Sequence, residues 1–116
     1  MGLHLHHHAS RVAPGRLQKV VAASKVPVLV EFAERDAPAC RMEEPVLAAI
    51  LRRYPDGLSV VQADIETSPS DAQTYGITAV PTFVLFVGGA ERLRLTGYKS
   101  VDELAAALDA ELGERT

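Results

Sequence analysis

The chain has 116 residues, 47% of them hydrophobic, which suits one compact domain with a single core and leaves no room for two. Its net charge is −3 and no cluster of lysine and arginine stands out, which argues against nucleic acid and anionic membranes as partners. The single cysteine excludes an internal disulfide, and no apolar stretch reaches the roughly 20 residues that a membrane helix needs.

The first ten residues differ in composition from the rest, because they contain every histidine of the chain: His4, His6, His7 and His8. Clustered imidazoles bind zinc or nickel, which is one interpretation of this segment. We favour an expression tag or a loosely ordered tail, and a short edge strand is a further alternative. Residues 1–10 are assigned to this tail and residues 11–116 to the domain. No basic segment precedes an apolar one, so we expect no secretory signal and a cytoplasmic location.

Apolar periodicity divides the first half of the domain into a helix, a strand and a second helix. Apolar residues at three- and four-residue spacing predict a helix over residues 15–24. Residues 28–32 are almost all apolar, which is typical of a central strand buried on both faces. After a loop over residues 33–39, residues 40–54 form the next predicted helix, and Pro45 is expected to kink its axis.

A turn with proline and glycine ends that helix, and a second strand and a short helix follow. Residues 58–65 form the strand. Ser68 and Pro69 predict a helix start, with Ser68 as the N-cap and Pro69 at the first helical position. Because a helix joins the strands at residues 28–32 and 58–65, we expect those strands to be parallel.

The end of the chain predicts a hairpin and a final helix. Residues 82–87 form an apolar strand, the glycine pair 88–89 a tight turn, and residues 92–96 an alternating, half-exposed strand. Ser100 and Glu103 form a capping box that begins the last helix. The predicted buried stripe of that helix consists of Val101, Leu104, Ala105, Leu108 and Leu112.

The complete order is helix, strand, helix, strand, helix, strand, strand, helix. Such an order predicts an α/β fold in which a mixed sheet of four or five strands carries helices on both faces.

This order, together with several short motifs, resembles the thioredoxin family over residues 16–112, and the resemblance implies the thioredoxin fold. The motifs are the strand at residues 30–34, the segment 40–42 with Pro45, the segments 75–77 and 80–82, and Phe86, Gly88, Gly89 and Gly97.

The chain departs from the family in the active-site loop, which reads Trp-Cys-Gly-Pro-Cys in the family. The matching residues, in order, are Asp36, Ala37, Pro38, Ala39 and Cys40. Cys40 therefore occupies the position of the second, resolving cysteine, and Ala37 leaves the position of the nucleophile vacant. Because dithiol exchange needs one thiol to attack and another to resolve, we do not expect the chain to turn over as a protein-disulfide reductase.

The resemblance also assigns roles to residues around that loop. Glu31 takes the position of the family's buried acid, a candidate base toward Cys40; the alternative is a carboxylate that reaches water or pairs with Lys19 or Lys25. The helix N-terminus favours a thiolate at Cys40, but we expect burial to outweigh it.

The peptide bond between Val80 and Pro81 matches the family's cis-proline, beside which an extended substrate chain pairs through main-chain hydrogen bonds. Such pairing needs no thiol. The predicted substrate-binding residues are Val80, Pro81, Asp36, Pro38 and Gly97.

The favoured hypothesis is a redox-inactive protein-binding, chaperone or assembly module whose client is an extended peptide or protein near Pro81. The alternatives are a thiol-disulfide oxidoreductase of cell redox homeostasis whose first cysteine is replaced by Ala37, and a monothiol redox protein that uses Cys40. We expect no cofactor, and no metal site, because one cysteine without nearby histidines cannot form one. The expected state is a monomer or weak dimer.

Overall fold

The computed structural model describes residues 9–113. Residues 1–8 of the predicted histidine-bearing tail lie outside the described residues. The short edge strand considered within that tail lies outside them as well. Residue 10 already belongs to a strand. Along the described chain the elements are β1 (Ser10–Arg11), α1 (Leu17–Ala23), β2 (Val28–Ala33), α2 (Pro38–Met42), α3 (Glu44–Arg53), β3 (Ser59–Asp64), α4 (Pro69–Thr74), β4 (Thr82–Val87), β5 (Ala90–Thr96) and α5 (Val101–Leu112).

The strands form one mixed five-stranded sheet in the order β1-β3-β2-β4-β5, which confirms the predicted fold class. β3 runs parallel to β1 and β2, whereas β4 runs antiparallel to β2 and β5. β2 lies at the centre of the sheet and all six of its residues are buried. The continuous apolar run thus marked the central strand correctly, because a strand covered on both faces has no solvent-facing positions.

Each face of the sheet carries its own apolar cluster, since successive side chains of a strand point to opposite faces. The first cluster includes Leu29, Leu47, Ile50, Phe83, Leu85, Leu104 and Leu108, which come from the sheet, α3 and α5. The second includes Leu17, Val21, Val28, Val30, Phe32, Val84 and Phe86, from the sheet and α1. The two clusters hold helices against opposite faces. Between residues 9 and 113, no helix has the length and apolar character needed to cross a membrane.

The predicted kinked helix over residues 40–54 is two helices, which is a correction to the sequence interpretation. α2 ends at Met42, and Glu43 serves as the C-cap of α2 and the N-cap of α3. Pro45 lies in the first turn of α3, where the missing N–H of proline costs nothing because that amide has no partner inside the helix. The chain therefore breaks at Glu43 instead of bending at Pro45.

Ser68 is the N-cap of α4, as predicted, but its side chain does not cap the helix. Its hydroxyl donates to the buried Asp71 carboxylate and accepts the N–H of Gly15 at 3.2 Å. The Gly15 N–H also donates to Asp71, at 3.2 Å. These bonds tie α4 to the segment before α1.

The predicted capping box of α5 is present. The Ser100 hydroxyl accepts the Glu103 N–H at 3.1 Å, and the Glu103 carboxylate accepts the Ser100 N–H at 2.9 Å. Of the predicted stripe, Leu104 and Leu108 are fully buried, but Val101 is 37% exposed. Val101 is the first residue of the helix, so it extends past the edge of the core.

Replacing Ser100 with alanine is expected to lower the free energy of unfolding by about 1 kcal/mol, because the Glu103 amide loses its acceptor. Urea denaturation of the two proteins measures the difference. The exposed Ser70 lies inside α4, and its replacement by alanine serves as the control with no expected loss. Equal stability of the Ser100→Ala variant and the unaltered chain would contradict the assigned cap.

Candidate functional site at the end of β2 and β4

The predicted site residues meet at one edge of the sheet. Phe32 of β2 pairs with Thr82 of β4, so the carboxyl end of β2 lies beside the amino end of β4. β2 leads into the loop that carries Cys40, and the Val80–Pro81 pair directly precedes β4. Segments that lie about 40 residues apart in the chain are thereby brought to the same edge.

Ala37, at the position predicted for the nucleophile, lies at the start of α2. Ala37 is the N-cap of this helix, and its carbonyl accepts the amides of Cys40 and Arg41 at 3.0 and 3.1 Å. Pro38 occupies the first helical position, where its fixed φ fits. Ala37 is partly accessible, whereas Cys40, one turn further on, is only 5% exposed. Position 37 is therefore the more accessible of the two.

The thiol of Cys40 is held in a protonated state by its surroundings. Burial raises the pKa of Cys40 above the ordinary value of a cysteine, and the carboxylates of Glu31, Glu34 and Glu43 raise it further. The Glu34 N–H donates to the Cys40 sulfur at 3.5 Å and lowers the pKa, but by less than burial raises it. Desolvation outweighs the effects that favour a thiolate, as expected from the sequence.

A small cavity lies against Cys40 on the side of β1 and β3. Its walls include Arg11, Arg35, Glu44 and Gln62, and its volume is about 20 Å³, which is the room one water molecule needs. A peptide does not fit such a space.

Glu31 lies in β2 and is fully buried. Its Oε1 atom accepts the side-chain amide of Gln62 at 2.7 Å, because β2 and β3 place the two residues side by side. Burial raises the pKa of Glu31 to about 7, although Gln62 and Arg11 both lower it. The considered pairing with Lys19 or Lys25 is wrong, since both lysines are exposed and the carboxylate bonds Gln62 instead.

The second half of the site is built around Pro81. The peptide bond between Val80 and Pro81 is cis, and Pro81 is buried. The Gly97 N–H donates to the Pro81 carbonyl at 2.8 Å, and the Thr82 hydroxyl donates to the Ala79 carbonyl at 2.7 Å. Gly97 has φ +93°, a conformation that favours glycine. These bonds fix the turn before β4 against the segment after β5.

The remaining predicted binding residues, Asp36 and Pro38, are exposed at the rim of the site. The role of all five predicted residues in substrate binding stays a prediction. Throughout residues 9–113, no group of three or more histidine, cysteine, aspartate or glutamate side chains is arranged to hold a metal ion.

The sequence interpretation missed a second buried acid, Glu43. Its side chain is fully buried, and burial raises its pKa to about 7. A signal was present, because Glu43 follows Cys40 by three residues and precedes Leu47 by four, which is the spacing of one helical face. Both neighbours on that face are core residues, so the pattern predicts an inward-pointing carboxylate.

Native Cys40 is expected to react slowly with a disulfide reagent such as dithiobis-nitrobenzoate and rapidly in urea. The thiol is buried and protonated, so reaction must wait for a local opening; an opening that costs about 3 kcal/mol slows labelling on the order of 100-fold. Absorbance of the released thiolate follows both reactions. Equally fast labelling of native and unfolded protein would show an accessible thiolate.

Comparison with known proteins gives a consistent result. A family model described as Thioredoxin matches residues 9–110. Thioredoxin 1 of Synechococcus elongatus is 34% identical over 104 residues, which cover 90% of this chain and 97% of the relative. The thioredoxin of Alicyclobacillus acidocaldarius is 33% identical over 91 residues, 78% of this chain and 86% of the relative. Among solved structures, a mutant thioredoxin from Halobacterium salinarum covers 99% of this chain and all of its own, with a TM-score of 0.82 and 23% identity.

Proposed function

Because the chain belongs to the thioredoxin family, we propose that it is a protein-binding member that holds an extended segment of a client beside Pro81 and does not turn over disulfides. The observation that carries the proposal is the contrast between the two halves of the site. In the half that would carry two thiols, the more accessible position at the N-cap of α2 holds Ala37, and the remaining thiol, that of Cys40, is buried. The half around Pro81 is intact.

The main chain at Val80 supports peptide binding. Within residues 9–113 its N–H and C=O have no hydrogen-bond partner, whereas the neighbouring Pro81 carbonyl is bonded to Gly97. Unpaired main-chain groups beside a strand can pair with an extended segment, as in β-strand addition. Recognition of this kind is tolerant of sequence, which suits a chaperone or assembly factor. We also propose a cytoplasmic location, because a single unpaired cysteine suits a reducing compartment.

Binding can be tested with a pool of end-blocked peptides made from alanine, valine, leucine, threonine, serine and lysine. We expect amide NMR shifts of the unaltered chain to change at residues 37–40, 79–82 and 97–99, and insulin reduction with dithiothreitol to stay at background. The control is the same amino acids unlinked, which cannot form an extended backbone. No shift changes in this region, or catalysis above background, would refute the proposal.

A second candidate is a thiol-disulfide oxidoreductase scaffold that lacks only its nucleophile. The observation that favours it is the retained surroundings of Cys40, namely the buried acid Glu31 and the Glu34 N–H on the sulfur. A monothiol version would have the Cys40 thiolate attack a small disulfide, forming one new S–S bond and releasing the other half as a thiolate. Fast labelling of native Cys40 would favour that version.

A further inference from the structure

Glu43 is buried at a place where both neighbours in sequence are exposed. Met42 is 58% exposed and Glu44 is exposed, yet the Glu43 side chain has no accessible surface. It forms the junction of α2 and α3, three residues after Cys40. A glutamate is rarely buried in this way unless it is paired.

The carboxylate of Glu43 binds the backbone of a distant segment. Its Oε1 atom accepts the N–H of Lys99, the residue that precedes the capping box of α5. Its Oε2 atom is buried and has no hydrogen-bond partner among the described residues. One oxygen thus holds the segment before α5, and the other is buried without a hydrogen-bond partner.

The segment that Glu43 holds adjoins the region beside Pro81 that we propose as the peptide cleft. The Gly97 N–H is bonded to the Pro81 carbonyl at 2.8 Å, and two residues later the Lys99 N–H is bonded to Glu43. Residues 97–99 are therefore attached to Pro81 at one end and to the helix junction after Cys40 at the other. Tyr98, which is 41% exposed, lies between the two attachments and faces solvent.

We propose that Glu43 is a positioning residue of the peptide cleft, and that the charge on its carboxylate controls how firmly residues 97–99 are held for a bound peptide. The proposal rests on the proposed function. An ionised carboxylate accepts a stronger hydrogen bond from a backbone N–H than a neutral carboxyl group does. The cleft is therefore better ordered when Glu43 is ionised.

Burial sets the pKa of Glu43 first, and the charges around the carboxyl group modify it. The Lys99 ammonium favours its ionised form, whereas Glu103 of α5 opposes it. Glu31 of β2 is also close enough for the two carboxylates to repel. Burial has the largest influence and raises the pKa to about 7, so the charge on Glu43 changes close to neutral pH.

The test compares peptide affinity at about pH 6 and about pH 8, one unit on either side of the pKa of about 7. The probe is the end-blocked peptide pool, none of whose side chains titrates in this range. We expect about fivefold tighter binding by the unaltered chain at the higher pH, the gain of a charge-assisted over a neutral hydrogen bond. The Glu43→Gln variant should bind with the weaker affinity at both pH values.

Glu31→Gln is the matched control, because it removes the other buried carboxylate and should keep most of the pH dependence. If Glu43→Gln keeps the difference in affinity between the two pH values, or if the unaltered chain binds equally well at both, the role of Glu43 is overturned and the proposed function is not. Absence of binding by every variant at both pH values would instead sink the proposed function and this inference with it.

A second measurement needs no variant. The Lys99 amide of the unaltered chain should shift with a midpoint near 7 in an NMR pH titration, and the Gly97 amide should follow it. A flat profile at Lys99 would overturn the inference even if Glu43→Gln failed to fold.

Discussion

The variant Ala37→Cys is expected to catalyse insulin reduction by dithiothreitol, whereas the unaltered chain stays at background. The introduced thiol would lie at the N-cap of α2, in the more accessible of the two positions, with Cys40 three residues further on. It would attack an insulin disulfide and form a mixed disulfide. This step releases one insulin thiolate. The Cys40 thiolate would then attack the sulfur at position 37 and displace the insulin sulfur still bound to it, and dithiothreitol would reduce the resulting internal disulfide.

The size of the effect follows from the fraction of thiolate. A free cysteine has a pKa of about 8.5, whereas the first cysteine of a thioredoxin C-x-x-C motif has a pKa of about 7, which gives about 15-fold more thiolate at neutral pH. The precipitation rate of insulin B chain, recorded as turbidity, measures turnover. Without Cys40 the mixed disulfide cannot be resolved within the protein. The double variant Ala37→Cys, Cys40→Ala should therefore show only the background rate of insulin precipitation.

Ala39→Cys is the matched control, because it adds a thiol next to Cys40 in the first turn of α2 without the two-residue spacing from Cys40. We expect no turnover from it. Background activity of Ala37→Cys, in a protein that forms the internal disulfide, would mean that the loop or the buried acid Glu31 no longer supports exchange. That result would weaken the oxidoreductase scaffold and strengthen the binding module.

The free energy of unfolding is expected to fall as the pH rises from about 5 to about 8. Glu31 and Glu43 each have a folded pKa of about 7, raised by burial from 4.5. The folded state therefore binds more protons than the unfolded state between these values. The stability that this difference contributes is fully present below 4.5 and is lost as the pH passes 7, by about 2–3 kcal/mol for each group across this range.

Urea denaturation at the two pH values measures this loss. The lowered pKa values of Glu91 and Glu103 act in the opposite direction, but only below the ordinary range of a carboxyl group, and so do not enter. Glu31→Leu should remove about half of the slope with which the unfolding free energy depends on pH. It should also raise stability at the higher pH, since Gln62, which loses its partner, is only partly buried and can bond water.

Glu66→Leu is the control, because it makes the same replacement at an exposed position and should leave the slope unchanged. The interpretation fails if stability rises over this range, or if Glu31→Leu leaves the slope as it was. Glu43→Gln should remove a further part of the slope, which separates the contributions of the two carboxyl groups.

Local patterns predicted the elements of the fold well. β2 and β4 are continuous apolar runs, and the capping box marks the start of α5, because each of these signals depends only on residues near in sequence. Cys40 could be located for the same reason, since it lies in the first turn of the helix that follows a buried strand.

Contacts between distant segments could not be predicted in this way. Glu31 bonds Gln62 because β2 and β3 align in one particular register, and the sequence contains no local sign of that register. The bond between Glu43 and the Lys99 amide joins residues 56 positions apart. Spacing indicates that Glu43 points inward, but only the packed structure identifies what it meets.

The lone, covered sulfur of Cys40 has a thermodynamic consequence. A scaffold with two active-site thiols has an oxidised and a reduced form, which differ in stability. The surrounding glutathione potential decides which of the two forms is populated. This chain contains no second thiol, so no such pair of forms exists. The stability of the folded domain therefore does not depend on whether an active-site disulfide is open or closed, whatever the ambient reduction potential.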